Sequence, residues 1–260
     1  DVVFIAVKGL ALASVASSLS PLLTENTIVV PAMNGIPWWF CERIDELQGE
    51  RLRSVDPDGS IASAIPTDHV LGCVVHGSAQ QIEPGLVEET MWQQVIIGEP
   101  FGGSSARAER LLTLLTDAGC AAVSSTDVRS EIWYKLWGNM TMNPVSALTG
   151  ATIDQILEDP LVREFCSAAM REAAEVGARV GCPIEQTPED RHAVTVKLGA
   201  FKTSMLQDVE AGRQLELDAI VTAVHEIARR LGMATPNIDA LLGMTGLFGR
   251  MRGLYPRGGN

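Results

Sequence analysis

Apolar positions along the chain change period once, near residue 128. Before that point they come in short runs. Residues 2–7 (VVFIAV) are apolar and mostly β-branched without interruption, the pattern of a parallel strand covered on both faces. Residues 9–24 predict a helix to about Leu19 that stops near Pro21, and residues 27–33 (TIVVPAM) predict a second strand ending at Asn34-Gly35. Strand, helix and strand within this length make a βαβ unit. A polar, punctuated stretch over 41–68 predicts irregular structure or a short hairpin. Strands follow at 70–76 and 93–98 with a turn at Glu83-Pro84-Gly85, then an amphipathic helix over 104–118 and a short strand at 120–124. From 130 onward the helical period dominates, over 130–148, 153–181, 188–206, 207–232 and 236–249, with Gly181-Cys182-Pro183 and Gly232…Pro236 as joints. The expected division is therefore an α/β part over 1–128 and an all-α part over 129–260.

Composition narrows the function. The formal net charge of −12 argues against a phosphate-backbone binder, which needs a basic surface, so no nucleic-acid partner is expected. No apolar run reaches the roughly 18 residues of a membrane span, and no membrane partner is expected either. The cysteines (Cys41, Cys73, Cys120, Cys166, Cys182) are scattered singly and read as free thiols in a reducing compartment. With no signal peptide evident, the expected location is cytoplasmic. His69, His76, His192 and His225 are isolated, so no metal site is expected; Walker, GxSxG and GxGxxG motifs are also absent from the sequence.

Three stretches carry candidate chemistry. In 131–150, EIWYKLWGNMTMNPVSALTG, Lys135, Asn139 and Asn143 recur at i, i+4 and i+8, which aligns one ammonium and two carboxamides on one face of an otherwise apolar helix. Asparagine is a poor helix former, so two in line need a reason beyond propensity. In 203–218, TSMLQDVEAGRQLELD, the groups Ser204, Asp208, Glu210, Glu216 and Asp218 are placed on a long helix broken or kinked at Gly212, with Ser204 as an N-cap or hydroxyl donor. Asn34-Gly35 and Lys8 each follow a strand, at the edge where open α/β sheets bind ligands. A snorkelling lysine, a solvated acidic face and an ordinary turn are the competing explanations.

Taken in order, these stretches resemble the ketopantoate reductase (2-dehydropantoate 2-reductase) family over nearly the whole chain. The motifs are IAVKG at 5–9, MNGI at 33–36, IGEP at 97–100, the 131–150 block, SMLQD with ELD across 204–218, and LGMATPNIDAL at 231–241. The resemblance implies a partial Rossmann-type parallel sheet domain for NADP(H), followed by an all-α domain like the C-terminal one of 6-phosphogluconate dehydrogenase. It implies an N-terminal truncation, since the family's first βαβ unit with its GxGxxG is missing. It also implies NADPH-dependent reduction of 2-dehydropantoate to pantoate, in pantothenate biosynthesis. Lys135 falls on the family's general acid, Asn139 and Asn143 on its substrate contacts, Ser204 on its carboxylate ligand and Glu216 on its other essential acid. Lys8 and Asn34 fall on its cofactor contacts, with Glu216 also on the cofactor side.

Trp38-Trp39, beside the NG turn, are expected to close over the pocket or alter its shape. The competing functions are reduction of another 2-keto acid, the activity of a 3-hydroxyacid or opine-type dehydrogenase on the same scaffold, and an inactive truncated helical module serving dimerisation. A small 2-keto acid is the expected partner, with the chain a monomer or homodimer.

Overall fold

The computed structural model describes residues 1–47 and 49–256, the side chains of Gln80 and Gln81 excepted. It divides into two compact units, Asp1–Phe40 with Asp58–Ile132, and Cys41–Pro57 with Trp133–Asn260. The division expected near 128 thus falls inside a helix, between Ile132 and Trp133. Residues 41–57, expected as irregular structure of the α/β half, group with the helical one.

In the first unit, β1 (Val2–Ile5) and β2 (Ile28–Pro31) flank α1 (Gly9–Ser17) and pair in parallel, from Val2 opposite Ile28 to Ile5 opposite Pro31. All four β2 residues are buried, as its uninterrupted apolar run requires. β1 differs from that expectation. Its one neighbour among the described residues is β2, and Phe4 remains 48% exposed. A short helix, α2 (Ser60–Ala64), precedes the long antiparallel hairpin of β3 (Gly72–Glu83) and β4 (Leu86–Gly98). Gly85 makes the hairpin turn at φ +85°, a conformation that strains a residue with a Cβ. A parallel bridge between Val29 and Val70 joins the two sheets. After α3 (Ala106–Asp117), β5 (Ala122–Ser125) returns parallel to β4. Ile28, Val30, Leu71, Cys73, Val95 and Ile97 pack with Ala108 and Leu111 of α3 as one core.

The second unit is helical. α4 (Val128–Thr149) enters it, followed by α5 (Ile153–Glu158), α6 (Pro160–Arg179), α7 (Pro188–Thr195), α8 (Ser204–Glu210), α9 (Ala223–Arg230) and α10 (Pro236–Met251). The single helix expected over 153–181 is two, because Pro160 cannot continue the first and the Asp159 carboxylate accepts from the backbone N–H groups of Leu161 and Val162 to start the second. The helix expected over 188–206 ends in a 3-10 turn at Val196–Leu198, and Gly199 then turns the chain at φ +64°. Glu172 of α6 starts α10 by accepting from the backbone N–H groups of Asn237 and Ile238. No helix among the described residues is long and apolar enough to cross a membrane. All the cysteines are free thiols, and burial pushes the Cys166 thiol up to about 12.

Candidate active site

α4 begins where the Asp127 carboxylate accepts from the N–H and hydroxyl of Ser130, at 3.1 and 2.6 Å, and it stops at Gly150, whose φ is +74°. Two indoles fix its rotation. Trp133 Nε1 donates to the Ala173 carbonyl at 3.2 Å and Trp137 Nε1 to the Met170 carbonyl at 2.7 Å, both acceptors on α6. Lys135 lies two positions from each indole, and Asn139 two beyond Trp137. At 3.6 residues per turn that separation is about 200°. Clamping the tryptophans onto α6 therefore turns the Lys135–Asn139–Asn143 row away from it.

The row deepens along the helix: Lys135 and Asn139 are half-buried and Asn143 is buried. Among the described residues, no side-chain hydrogen bond reaches the carboxamide of Asn139 or Asn143. A carboxamide carries both donors and an acceptor, so the pair can hydrogen-bond a ligand on this face of the helix. Ahead of Lys135 by one turn, burial and then the Asp127 charge push the Glu131 carboxyl above the ordinary carboxylate range.

Ser204 and Glu216 do not share a helix, contrary to the sequence reading. α8 ends at Glu210, Gly212 takes φ +65°, and 213–217 run without regular structure. The N-cap of α8 is Thr203, whose Oγ1 accepts from the Leu206 N–H at 3.2 Å, and Ser204 is the exposed first helical residue. Glu216 is set by its neighbours. Leu215 and Leu217 are both 0% exposed, and the Leu215 N–H donates to the Leu254 carbonyl at 2.8 Å. With both flanking side chains drawn into the core, Glu216 between them is half-buried. A π-helical turn, Asp218–Thr222, follows at once. Tyr255 donates to Asp218 Oδ1 at 2.5 Å there, and burial together with that carboxylate raises the phenol to about 12.

In the first unit, β1 and β2 end in register. The Ala32 N–H donates to the Ile5 carbonyl, and Lys8 and Asn34 each stand three residues past the paired Ile5 and Pro31. Both are half-buried, and Lys8 is the extended N-cap residue of α1. An ammonium, a carboxamide and a helix N-terminus at the carboxyl edge of parallel strands suit the phosphate and amide groups of a nicotinamide cofactor. Trp38 and Trp39 are packed inside the first unit. They are 3% and 0% exposed core residues, with Trp38 Nε1 donating to the Ile65 carbonyl at 3.3 Å.

Residues 1–101 match the family described as Ketopantoate reductase PanE/ApbA, and residues 127–247 match Ketopantoate reductase PanE/ApbA C terminal. The 2-dehydropantoate 2-reductase of Mesorhizobium japonicum is 39% identical over 256 residues, covering 98% of this chain and 78% of that protein. The chain belongs to the ketopantoate reductase family. A crystal structure from Ralstonia solanacearum MolK2, provisionally assigned to ketopantoate reductase, superposes with a TM-score of 0.94 at 55% identity, over 98% of this chain and 78% of that one. The 2-dehydropantoate 2-reductase structure from Methylococcus capsulatus gives 0.82 at 25% identity, over 97% and 75%. The sequence reading of a ketopantoate reductase fold, a sheet domain followed by a helical one, stands.

That reading missed Tyr134, Gln186 and Arg191 on the flank of α4. Tyr134 donates to Gln186 Oε1 at 2.9 Å, and the Arg191 guanidinium lies 4.6 Å from the Tyr134 ring centroid. The available signal was Gly138, a helix-weakening residue inside a strongly patterned helix.

Proposed function

We propose that this ketopantoate reductase family member reduces 2-dehydropantoate to pantoate with NADPH, a step of pantothenate biosynthesis. The observation that carries the proposal is the row of Lys135, Asn139 and Asn143 on α4, whose two carboxamides make no side-chain hydrogen bond among the described residues. Residues 1–128 serve the cofactor in this reading and 129–260 the substrate. The nicotinamide, when bound, supplies the hydride. Lys8 holds the phosphate side of the cofactor and Asn34 its nicotinamide end.

The chain's own contribution begins with binding. Asn139 and Asn143 donate to the keto acid without adding charge, and the Ser204 hydroxyl donates to its carboxylate. As the ketone carbon is reduced, negative charge gathers on its oxygen. The Lys135 ammonium stabilises that charge and delivers the proton from Nζ to the oxygen. Glu216 orients the substrate hydroxyl and the cofactor side of the site. The free thiols support a reducing, cytoplasmic location.

A second reading, reduction of another 2-keto acid, uses the same row. The test is NADPH consumption across a panel of 2-keto acids, with Lys135→Ala beside the wild type. The expected result is preference for 2-dehydropantoate and a fall in kcat of about 10²- to 10⁴-fold in the variant. Unchanged turnover would remove Lys135 from the chemistry, and preference for a different acid would move the assignment to the second reading.

A further inference from the structure

Arg191 of α7 is held in an unusual way. Its guanidinium carbon stacks 4.6 Å from the Tyr134 ring centroid, and the ring is itself tethered through its hydroxyl to Gln186. Its Nε is buried with no hydrogen-bond partner, and the side chain forms no ion pair among the described residues. Arg107, Arg179, Arg213 and Arg230, by contrast, each pair with a carboxylate at 2.5 to 2.9 Å. On α7 the carboxylate next to it, Asp190, is already engaged by the N–H and hydroxyl of Thr187 in the helix cap.

The guanidinium occupies space that α4 leaves open. A Cβ on Gly138 would stand 3.1 Å from Arg191 Nε, 3.3 Å from Nη2 and 3.6 Å from Cζ. Glycine weakens a helix interior, so its presence here has a local consequence: it lets a flat cation rest against the α4 backbone. Gly138 precedes Asn139 and lies three residues after Lys135. Positions three apart on a helix have Cβ atoms about 5–6 Å from one another. The guanidinium is therefore seated on the flank of the same turn that carries the ammonium and the first carboxamide.

We propose that Arg191 is a binding residue for the carboxylate of the 2-keto acid, an inference that rests on the functional reading above. The ketone oxygen takes the Lys135 charge during reduction, and Asn139, Asn143 and Ser204 offer only neutral donors. A fixed guanidinium with no ion pair among the described residues supplies the charge that the acid group needs, through the fork that arginine presents to carboxylates. The ring of Tyr134 and the floor at Gly138 hold that fork in place before the substrate arrives.

The test is calorimetric titration with oxamate, a non-reducible analogue of a 2-keto acid, and with oxamide, its uncharged counterpart, into the wild type, Arg191→Met and Arg191→Lys. Melting temperatures are measured in parallel. In Arg191→Met, oxamate binding is expected to weaken about 10- to 100-fold, with oxamide binding little changed. Arg191→Lys, which keeps the charge, is expected to recover part of the loss. In turnover the change falls mainly on KM, whereas Lys135→Ala acts on kcat. Oxamate binding as tight in Arg191→Met as in the wild type overturns the proposal, and so does equal weakening of oxamate and oxamide. A wild type that reduces no 2-keto acid overturns the functional reading instead, and the oxamate titration still reports on Arg191.

Discussion

Gly177 of α6 faces Trp133 of α4, and a methyl group there would stand 2.2 Å from the indole Nε1 and 2.7 Å from the Cys182 carbonyl oxygen. The indole is 1% exposed and hydrogen-bonded, and the carbonyl belongs to the backbone, so neither yields easily. Gly177→Ala would gain helix propensity of about 1 kcal/mol from the alanine and lose more to overpacking, roughly 1–3 kcal/mol or above. The expected outcome is a net loss of stability, measured as a lower urea midpoint with unchanged slope. A variant as stable as the wild type would show that the contact between α4 and α6 can slide. The rotation of α4 would then not be set by its tryptophans. At the same scale, the alignment of Lys135, Asn139 and Asn143 on one helix was legible in the sequence because helical spacing is strict. Arg191 was not, since a stacked arginine has no period and its partner ring lies 57 positions earlier, at Tyr134.

Elements show the same limit more sharply in residues 41–57. The Glu226 carboxylate of α9 accepts from the backbone N–H groups of Arg53 and Ser54, both at 2.9 Å, and Arg230 donates to the carbonyls of Glu50 and Arg51 at 3.2 and 2.7 Å. Leu47 and Leu52, 3% and 0% exposed, anchor the segment further. Glu226→Gln keeps the shape of the side chain but can accept through only one oxygen. Hydrogen bonds to a charged group contribute about 1.5–3 kcal/mol, so the segment should loosen by roughly that amount. The expected readout is faster tryptic cleavage after Arg51 and Arg53, with the rest of the helical unit intact. Unchanged cleavage would mean that the leucines alone hold the segment. Sequence could show that 41–57 lacks a period, but the carboxylate that claims it lies 173 residues away. The misjudged helix ends have a nearer cause. Asp159 before Pro160, and Thr203 before Ser204, are helix-start signals that lay inside stretches whose apolar period continued on either side. Glu216 fell on an imagined helix for that reason, although the alternation of Leu215, Glu216 and Leu217 was there to be read.

Across the whole molecule, acidification has opposing effects that the structure separates. Protonating carboxylates reduces the −12 formal charge and with it the self-repulsion of the folded state, which favours folding. Two groups, one buried and one half-buried, act the other way. His192 is 2% exposed, its Nε2 lies 3.0 Å from Ser167 Oγ, and its Nδ1 is buried without a partner. Burial first, and the Arg163 charge after it, lower its pKa below the ordinary 6.5. For Glu226, burial pushes the carboxyl up, but the hydrogen bonds from Ser54 and Arg53 and the Arg230 charge outweigh it, leaving the pKa below the ordinary 4.5. In both cases the unfolded chain binds its proton at a higher pH than the native one. The associated stability is complete above the ordinary pKa and is lost as pH falls toward the folded value. His192 therefore governs a window that opens near pH 6.5 and Glu226 one that opens near 4.5, each with a limiting slope of about 1.4 kcal/mol per pH unit per proton. Urea unfolding from pH 7.5 to 4 should show stability falling in the first window before the carboxylates titrate. In His192→Gln the fall between pH 6.5 and 5 should flatten, because the residue no longer takes up a proton in either state, while the fall below 4.5 persists. Should the variant lose stability with the same slope between pH 6.5 and 5, the proton would be entering elsewhere, and His192 would not be the group that limits the helical unit in mild acid.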